Sequence, residues 1–389
     1  MSDFLKSKVD GLKKDSVFRA LNVLEGPNEA LEIVNGKEVI NLCSNNYLGF
    51  ANHPRLKRAN IEAIEKYGVG AGAVRTINGN SDLHEELDRR LAQFKNEEYV
   101  HHFQSGLNCN MGAIAAITDE NDLILSDELN HASIIDGMRL SKAARRVFRH
   151  ADMNHLEEIL KSERHKYQKV LIISDGVFSM DGDIVPLKDL VNIAKNYDAL
   201  TYIDDAHGSG VLGKHGRGTI DYFGMHKQVD LIVGTLSKAI GVIGGYIAGS
   251  KSLYEWMNHR ARPVLFSTAL PPGCVAAVIE ALTMLEESDQ YTQKLWDNTL
   301  FFQKEIQNAG FSIGKTQTPI TPIHIGEEAK ALEVSKKLFD KGIYASAIVF
   351  PTVPRGTARI RAMISAGHTR EQLKYVVRAF SEIRNELNF

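Results

Sequence analysis

Between residues 55 and 250, short apolar runs alternate with longer amphipathic stretches. The runs at 122–126, 170–174, 200–203 and 231–233 are dense in Leu, Ile and Val, as strands buried on both faces are. Arg55–Tyr67 and Leu83–Phe94 instead space their apolar residues as helices do. Strands alternating with helices predict an α/β domain around a mostly parallel sheet. Ahead of it, Leu31–Leu42 reads as two short strands about an Asn35-Gly36 turn, the strongest short hairpin pattern. Behind it, a helical Val275–Glu287 leads to strand candidates Thr321–Ile325, Ile343–Ile348 and Ala358–Met363. The expected division is an N-terminal arm and hairpin over 1–50, a large domain over 51–275 and a smaller α/β domain over 276–389.

At 389 residues the chain is long enough for a sizeable core, and its net charge of −2 offers no basic field to nucleic acid or to an anionic membrane. Neither partner is expected. Cys43, Cys109 and Cys274 are odd in number and widely spaced, forming neither a disulfide framework nor a metal pattern, so a reducing cytoplasm is expected and no metal. Charges interrupt the apolar residues of Met1–Asp15 every few positions, which predicts an amphipathic arm without an apolar leader core. The uncharged stretch 263–279 carries Pro263, Pro271 and Pro272 and is not a clean spanning helix.

Ligands of open α/β sheets bind beyond the carboxyl ends of the strands. There the sequence concentrates its polar residues: His131 after the 122–126 run, Ser179 after 170–174, Asp204 and His207 after 200–203, Lys238 after 231–233. A lone Ser-Lys-Ala is more often the exposed start of a helix. Lys238, however, is followed by twelve uncharged residues, and desolvation favours the neutral, nucleophilic amine. An acid on a neighbouring strand completes what pyridoxal phosphate requires, namely a lysine for its aldehyde and a carboxylate for its ring nitrogen.

Other positions fit the same cofactor. A glycine break before the helical Leu107–Ile117 offers the backbone of Gly106 and Leu107 to a phosphate, although a plain strand-to-helix turn has the same pattern. Thr235, Ser267 and Thr268 add hydroxyls, where loop hydroxyls are more often local caps. His131 suits a ring-stacking role as well as a helix cap. Arg359 and Arg361 alternate along one strand, where an arginine can clamp a carboxylate through two parallel bonds, or can merely face solvent. Gly68–Ala73 invites a dinucleotide reading, but a helical stretch precedes it where that fingerprint needs a strand.

With these residues assembled, the chain resembles the α-oxoamine synthases, fold-type-I pyridoxal-phosphate acyltransferases that join an amino acid to an acyl-CoA. The likeness runs through 45–49, 130–137, 175–182, 204–207, 234–238 and 358–361. It implies a large domain with a seven-stranded-type sheet and a homodimer with shared active sites. Lys238 would bind the cofactor aldehyde, Asp204 pair the ring nitrogen and His131 stack on the ring. His207 and Ser179 would lie near the phenolic oxygen. Gly106, Leu107 and Thr235 would hold the phosphate, with Ser267 and Thr268 supplied by the neighbouring subunit. Arg361 would take the substrate carboxylate, helped by Asn46.

Within the family, segments 130–137 and 262–267 look most like the glycine C-acetyltransferases. That likeness implies condensation of glycine with acetyl-CoA to 2-amino-3-oxobutanoate, or the reverse reaction in threonine breakdown. Thr352, within 350–354, is instead reminiscent of the branch that condenses alanine with a pimeloyl thioester, with decarboxylation, and Ser237 replaces a glycine usual in both branches.

Overall fold

The computed structural model describes residues 2–14, 18 and 20–388; Met1 and Asp15 of the expected arm lie outside them. Within the arm, Ser2–Lys14 is a helix. The hairpin forms as β1 (Leu31–Val34) and β2 (Lys37–Asn41), with Asn35 and Gly36 both at positive φ in the turn.

Seven strands build the central sheet: β3 (Tyr99–Phe103), β4 (Leu123–Asp127), β5 (Ala144–Phe148), β6 (Val170–Asp175), β7 (Leu200–Asp204), β8 (Leu231–Thr235) and β9 (Gly245–Gly249). Their spatial order is β3-β9-β8-β7-β6-β4-β5, and only β9 runs against its neighbours. The protein is thus a fold-type-I α/β enzyme fold with a mostly parallel sheet. Every residue of β4, β6, β8 and β9 is buried, as strands covered on both faces must be. Two strands escape the sequence pattern. β5 is an edge strand whose Arg145, Arg146 and Val147 are exposed, so it lacks an apolar run. β9 is bounded by glycines and lies within the uncharged tail that follows Lys238.

The remaining strands are β10 (Ile320–Gly326), β11 (Ile343–Tyr344), β12 (Ser346–Ile348) and β13 (Ala358–Met363). The expected single strand over 343–348 is therefore two. β11 pairs with β2, whereas β12 joins β13 and β10. The N-terminal hairpin consequently shares a sheet with the C-terminal region, and Ile40 and Leu42 sit in the same apolar cluster as Phe302, Ile343 and Phe380. The helix Pro54–Tyr67, not a strand, leads directly into Gly68, which ends it at positive φ, so the dinucleotide pattern is absent there. Among the described residues no helix is long and apolar enough to cross a membrane, and no group of His, Cys, Asp or Glu is placed to hold a metal.

Candidate active site

Parallel strands put their carboxyl ends on one rim, and the polar residues that follow β4, β6, β7 and β8 meet there around a cavity of about 210 Å³. Asp175 ends β6 and Asp204 ends β7, directly opposite each other in the ladder. Asp204 is buried; its Oδ2 accepts from Asn110 Nδ2 at 2.7 Å and its Oδ1 from the Ala206 amide at 3.0 Å. Lys238 lies just beyond β8, and burial pulls its amine down to about 8, against the opposing charges of Asp204 and Asp175. His207 is buried and pushed well below the usual imidazole range, by burial first and then by Lys238 and Arg361. Its Nδ1 lies 2.7 Å from the Tyr47 hydroxyl.

At the other end of the cavity the helix Gly106–Ile117 begins, with Ser105 as its N-cap accepting from the Asn108 amide at 3.1 Å. A helix start leaves its first backbone N–H groups without intrahelical acceptors, which makes it an anion site. Gly106, Leu107, Thr235 and Ser237 line this end. The space is glycine-shaped: a Cβ on Gly106 would lie 3.1 Å from Thr235 Cβ. The cavity therefore fits pyridoxal phosphate, with an amine of lowered pKa, a buried acid, a histidine at the rim and an anion cradle.

His131 caps the helix Ala132–Leu140, accepting the Ser133 amide on Nδ1, and its own amide donates to Asp175 Oδ2 at 3.0 Å. It also lines the cavity, so the capping and cofactor readings describe one residue. Ser179 lies on the loop after β6, and Arg361 Nε donates to its carbonyl at 2.6 Å. Arg361 is half-buried, and Asn45 Oδ1 accepts from its Nη2 at 3.3 Å. The neighbouring Asn46 is turned away: its amide is committed to Asn28 O and the Ala51 N–H. Arg359 is held by Asp181 and the Met180 carbonyl.

Ser267 and Thr268 follow the short helix Arg262–Phe266 and do not line the cavity within one chain; Gln104 Nε2 donates to both of their carbonyls. Thr352 is exposed on the turn before β13. Among residues of the site, Asp175 and Asn110, which line the cavity, and Tyr47, which contacts His207, were not singled out from the sequence. Asp175 obeys the strand-end rule that picked out Asp204. Asn110 and Tyr47 give no such signal, since nothing local distinguishes a helical asparagine or a loop tyrosine.

A fold-type-I enzyme built around pyridoxal phosphate is the class this sheet and cavity define. The description "Aminotransferase class I and II" matches residues 37–380. The chain belongs to that family and, within it, to the pyridoxal-phosphate α-oxoamine synthases. It is 62% identical over 386 residues to an 8-amino-7-oxononanoate synthase of Alkaliphilus oremlandii, covering 99% of this chain and 98% of the relative. A synthase of the same name from Thermoanaerobacter pseudethanolicus is 58% identical, again over 99% of this chain and 98% of the relative. Among solved structures, a serine palmitoyltransferase of Sphingomonas wittichii superposes with a TM-score of 0.94 at 28% identity, covering 99% of this chain and 98% of that one. Pyridoxal phosphate is the cofactor.

These relatives overturn the expectation of glycine, acetyl-CoA and threonine breakdown. The reason is visible in the structure. Segment 130–137 supplies His131 and Ser133 to the cofactor side of the cavity, and segment 262–267 forms a helix packed on Gly106–Ile117. The first lies on the cofactor side of the cavity and the second supports the helix that begins at the anion cradle, so neither is placed to mark the acyl donor.

Proposed function

We propose that the protein condenses alanine with a pimeloyl thioester, releasing carbon dioxide and the free thiol, to give 8-amino-7-oxononanoate for biotin synthesis. What carries this reading is identity of 58 to 62% to several 8-amino-7-oxononanoate synthases along nearly the whole chain. Three free cysteines are in keeping with a cytoplasmic location.

When bound, the cofactor holds the amino acid through its aldehyde and takes up negative charge from the amino-acid Cα. Lys238 would hold the cofactor aldehyde, and its Nζ would move the Cα proton, a task suited to an amine lowered to about 8. Asp204 would pair with the ring nitrogen, and His131 would stack on the ring. His207 and Ser179 would hold the phenolic oxygen, and the Tyr47 hydroxyl fixes the His207 ring. The Gly106 and Leu107 amides hold the phosphate with Thr235. Ser267 and Thr268 reach it from the second subunit of a homodimer, in keeping with their place outside the cavity of their own chain. Arg361 orients the amino-acid carboxylate, and Thr352 stands towards the acyl donor.

Two parallel assays test the reading. Alanine with a pimeloyl thioester should release both thiol and carbon dioxide, at least about tenfold faster than glycine with acetyl-CoA releases thiol. Faster turnover of the glycine pair, or thiol release without carbon dioxide, overturns it.

A further inference from the structure

Asn110 lines the cavity one turn inside the helix Gly106–Ile117 and is almost wholly buried. Its side chain meets three groups from two other elements, β7 and the helix Ala132–Leu140. Nδ2 donates to Asp204 Oδ2 at 2.7 Å and to Ser133 Oγ at 2.9 Å, and Oδ1 accepts from the Tyr202 hydroxyl at 2.7 Å. Ser133 Oγ lies 2.7 Å from His131 Nδ1, and the Ser133 backbone N–H donates to the same nitrogen at 3.2 Å.

The directions of these bonds follow by elimination. A carboxylate only accepts, so the atom facing Asp204 is the amide nitrogen; a flipped amide would set Asn110 Oδ1 against an oxygen. The Tyr202 hydroxyl, whose pKa burial holds well above the phenol range, donates to Oδ1 and reinforces that orientation. With both Nδ2 protons used, Ser133 Oγ accepts one of them and its own hydrogen is free for His131. A backbone N–H can only donate, so His131 Nδ1 is an acceptor and the ring proton sits on Nε2. Protonating Nδ1 would break two hydrogen bonds at once. The charged groups facing His131 are Asp175, which accepts its amide, together with Asp204 and Lys238. Burial and Lys238 favour the neutral ring, and Asp204 opposes them.

We propose that Asn110 is a positioning residue that joins the two halves of the ring site: it orients the Asp204 carboxylate and, through Ser133, holds His131 as the neutral Nε2–H tautomer. A neutral imidazole can lie against a ring that carries positive charge on its nitrogen without like-charge repulsion. The proposal rests on the assignment of Asp204 and His131 to the cofactor ring.

The test uses the holoenzyme with 15N-labelled histidine, reading the His131 tautomer by NMR and cofactor affinity by equilibrium dialysis. Wild-type His131 should stay unprotonated at Nδ1 from about pH 5.5 to 8.5. Ser133→Ala should raise the pH at which His131 protonates, because the hydroxyl that supports the neutral ring is gone. Asn110→Ala should move both readouts, weakening cofactor binding roughly tenfold or more. Tyr202→Phe removes only the donor that orients the amide, and should move both in the same direction by less. If Asn110→Ala fails to fold, no change in Tyr202→Phe overturns the proposal. A proton on His131 Nδ1 in the wild type overturns it too. Asp204→Asn separates the two levels of the argument. Unchanged cofactor affinity there removes the ring assignment and this proposal with it, whereas a damaged Asp204→Asn beside an unaffected Asn110→Ala overturns the proposal alone.

Discussion

Lys95 Nζ lies 2.7 Å from Asp205 Oδ2, both side chains buried, on the residue that directly follows the acid ending β7. Asp205 also accepts the Thr219 amide and the Ser209 hydroxyl, each at 2.9 Å, and Lys95 donates to the Arg217 carbonyl. The pair pins the turn that carries Asp204 and His207 to the loop before the helix Thr219–Tyr222. Burial opposes the charge on Lys95, but Asp205, with Tyr246 beside it, more than compensates and raises its pKa.

Breaking such a pair leaves a buried charge without a partner. Lys95→Met should therefore cost about 3–5 kcal/mol of unfolding free energy, and a Lys95→Met/Asp205→Leu double variant should recover much of it. Urea unfolding of the three proteins checks this. A single variant as stable as the wild type would show that water reaches Asp205.

His150 gives a pH-dependent counterpart. Its Nδ1 lies 3.0 Å from Asp127 and its Nε2 2.8 Å from Asp183, clamping the loop that carries Ser179 against the end of β4. Burial alone would lower this histidine, but the two carboxylates push it up to about 10. Because the folded value exceeds the unfolded value of about 6.5, the stabilisation is fully present below pH 6.5 and is lost as pH rises through about 10. With the ring a quarter exposed, it is on the order of 2 kcal/mol. The stability gap between wild type and His150→Gln should be widest near pH 6 and should close towards pH 10. A gap that does not vary with pH would mean that His150 is not charged.

How far the sequence reveals this molecule depends on how local each cause is. β4, β6 and β8 are buried on both faces, and continuous apolar runs announce them. β5 presents Arg145 and Arg146 to solvent at the sheet edge, and β9 reads as a glycine-bounded tail of the lysine segment. Lys238, Asp204, His131 and His207 stand at strand ends, where one local rule finds them. Asn110 reaches Asp204 from 94 residues away and Tyr47 reaches His207 from 160, contacts that only the folded chain creates. The acyl donor was misjudged because, of the segments used to choose it, 130–137 lines the cofactor cavity and 262–267 packs on the helix Gly106–Ile117 outside that cavity.

The amine of Lys238 should govern the pH dependence of cofactor capture. Its pKa is lowered to about 8, so the nucleophilic neutral form dominates above pH 8 and falls tenfold per unit below it. In apoprotein prepared by dialysis against an amine scavenger, the rate of regaining visible absorbance with added pyridoxal phosphate should rise with a midpoint near pH 8. A midpoint near 10 would mean that the amine is as solvated as a surface lysine.

Arg359 and Arg361 share one face of β13, yet the structure separates their tasks. Arg359 is already paired with Asp181 on the loop that carries Ser179, so its charge is neutralised within the protein. Among the described residues Arg361 has no ion-pair partner; it donates to the neutral Ser179 carbonyl and Asn45 amide, and it stands close enough to depress both Lys238 and His207. An unneutralised guanidinium beside the amine is the better partner for a substrate carboxylate. Arg361→Lys, which keeps the charge but loses the two-pronged geometry, should raise the amino-acid KM by roughly ten- to a hundredfold and the thioester KM by less than about threefold. Arg359→Lys should leave both KM values within about threefold and lower the melting temperature by a few degrees, because it loosens the Asp181 contact. Steady-state kinetics with each substrate varied in turn, together with thermal unfolding, decide the matter. If Arg359→Lys raises the amino-acid KM and Arg361→Lys does not, the carboxylate is held by Arg359 and the Asp181 pair must open to admit it.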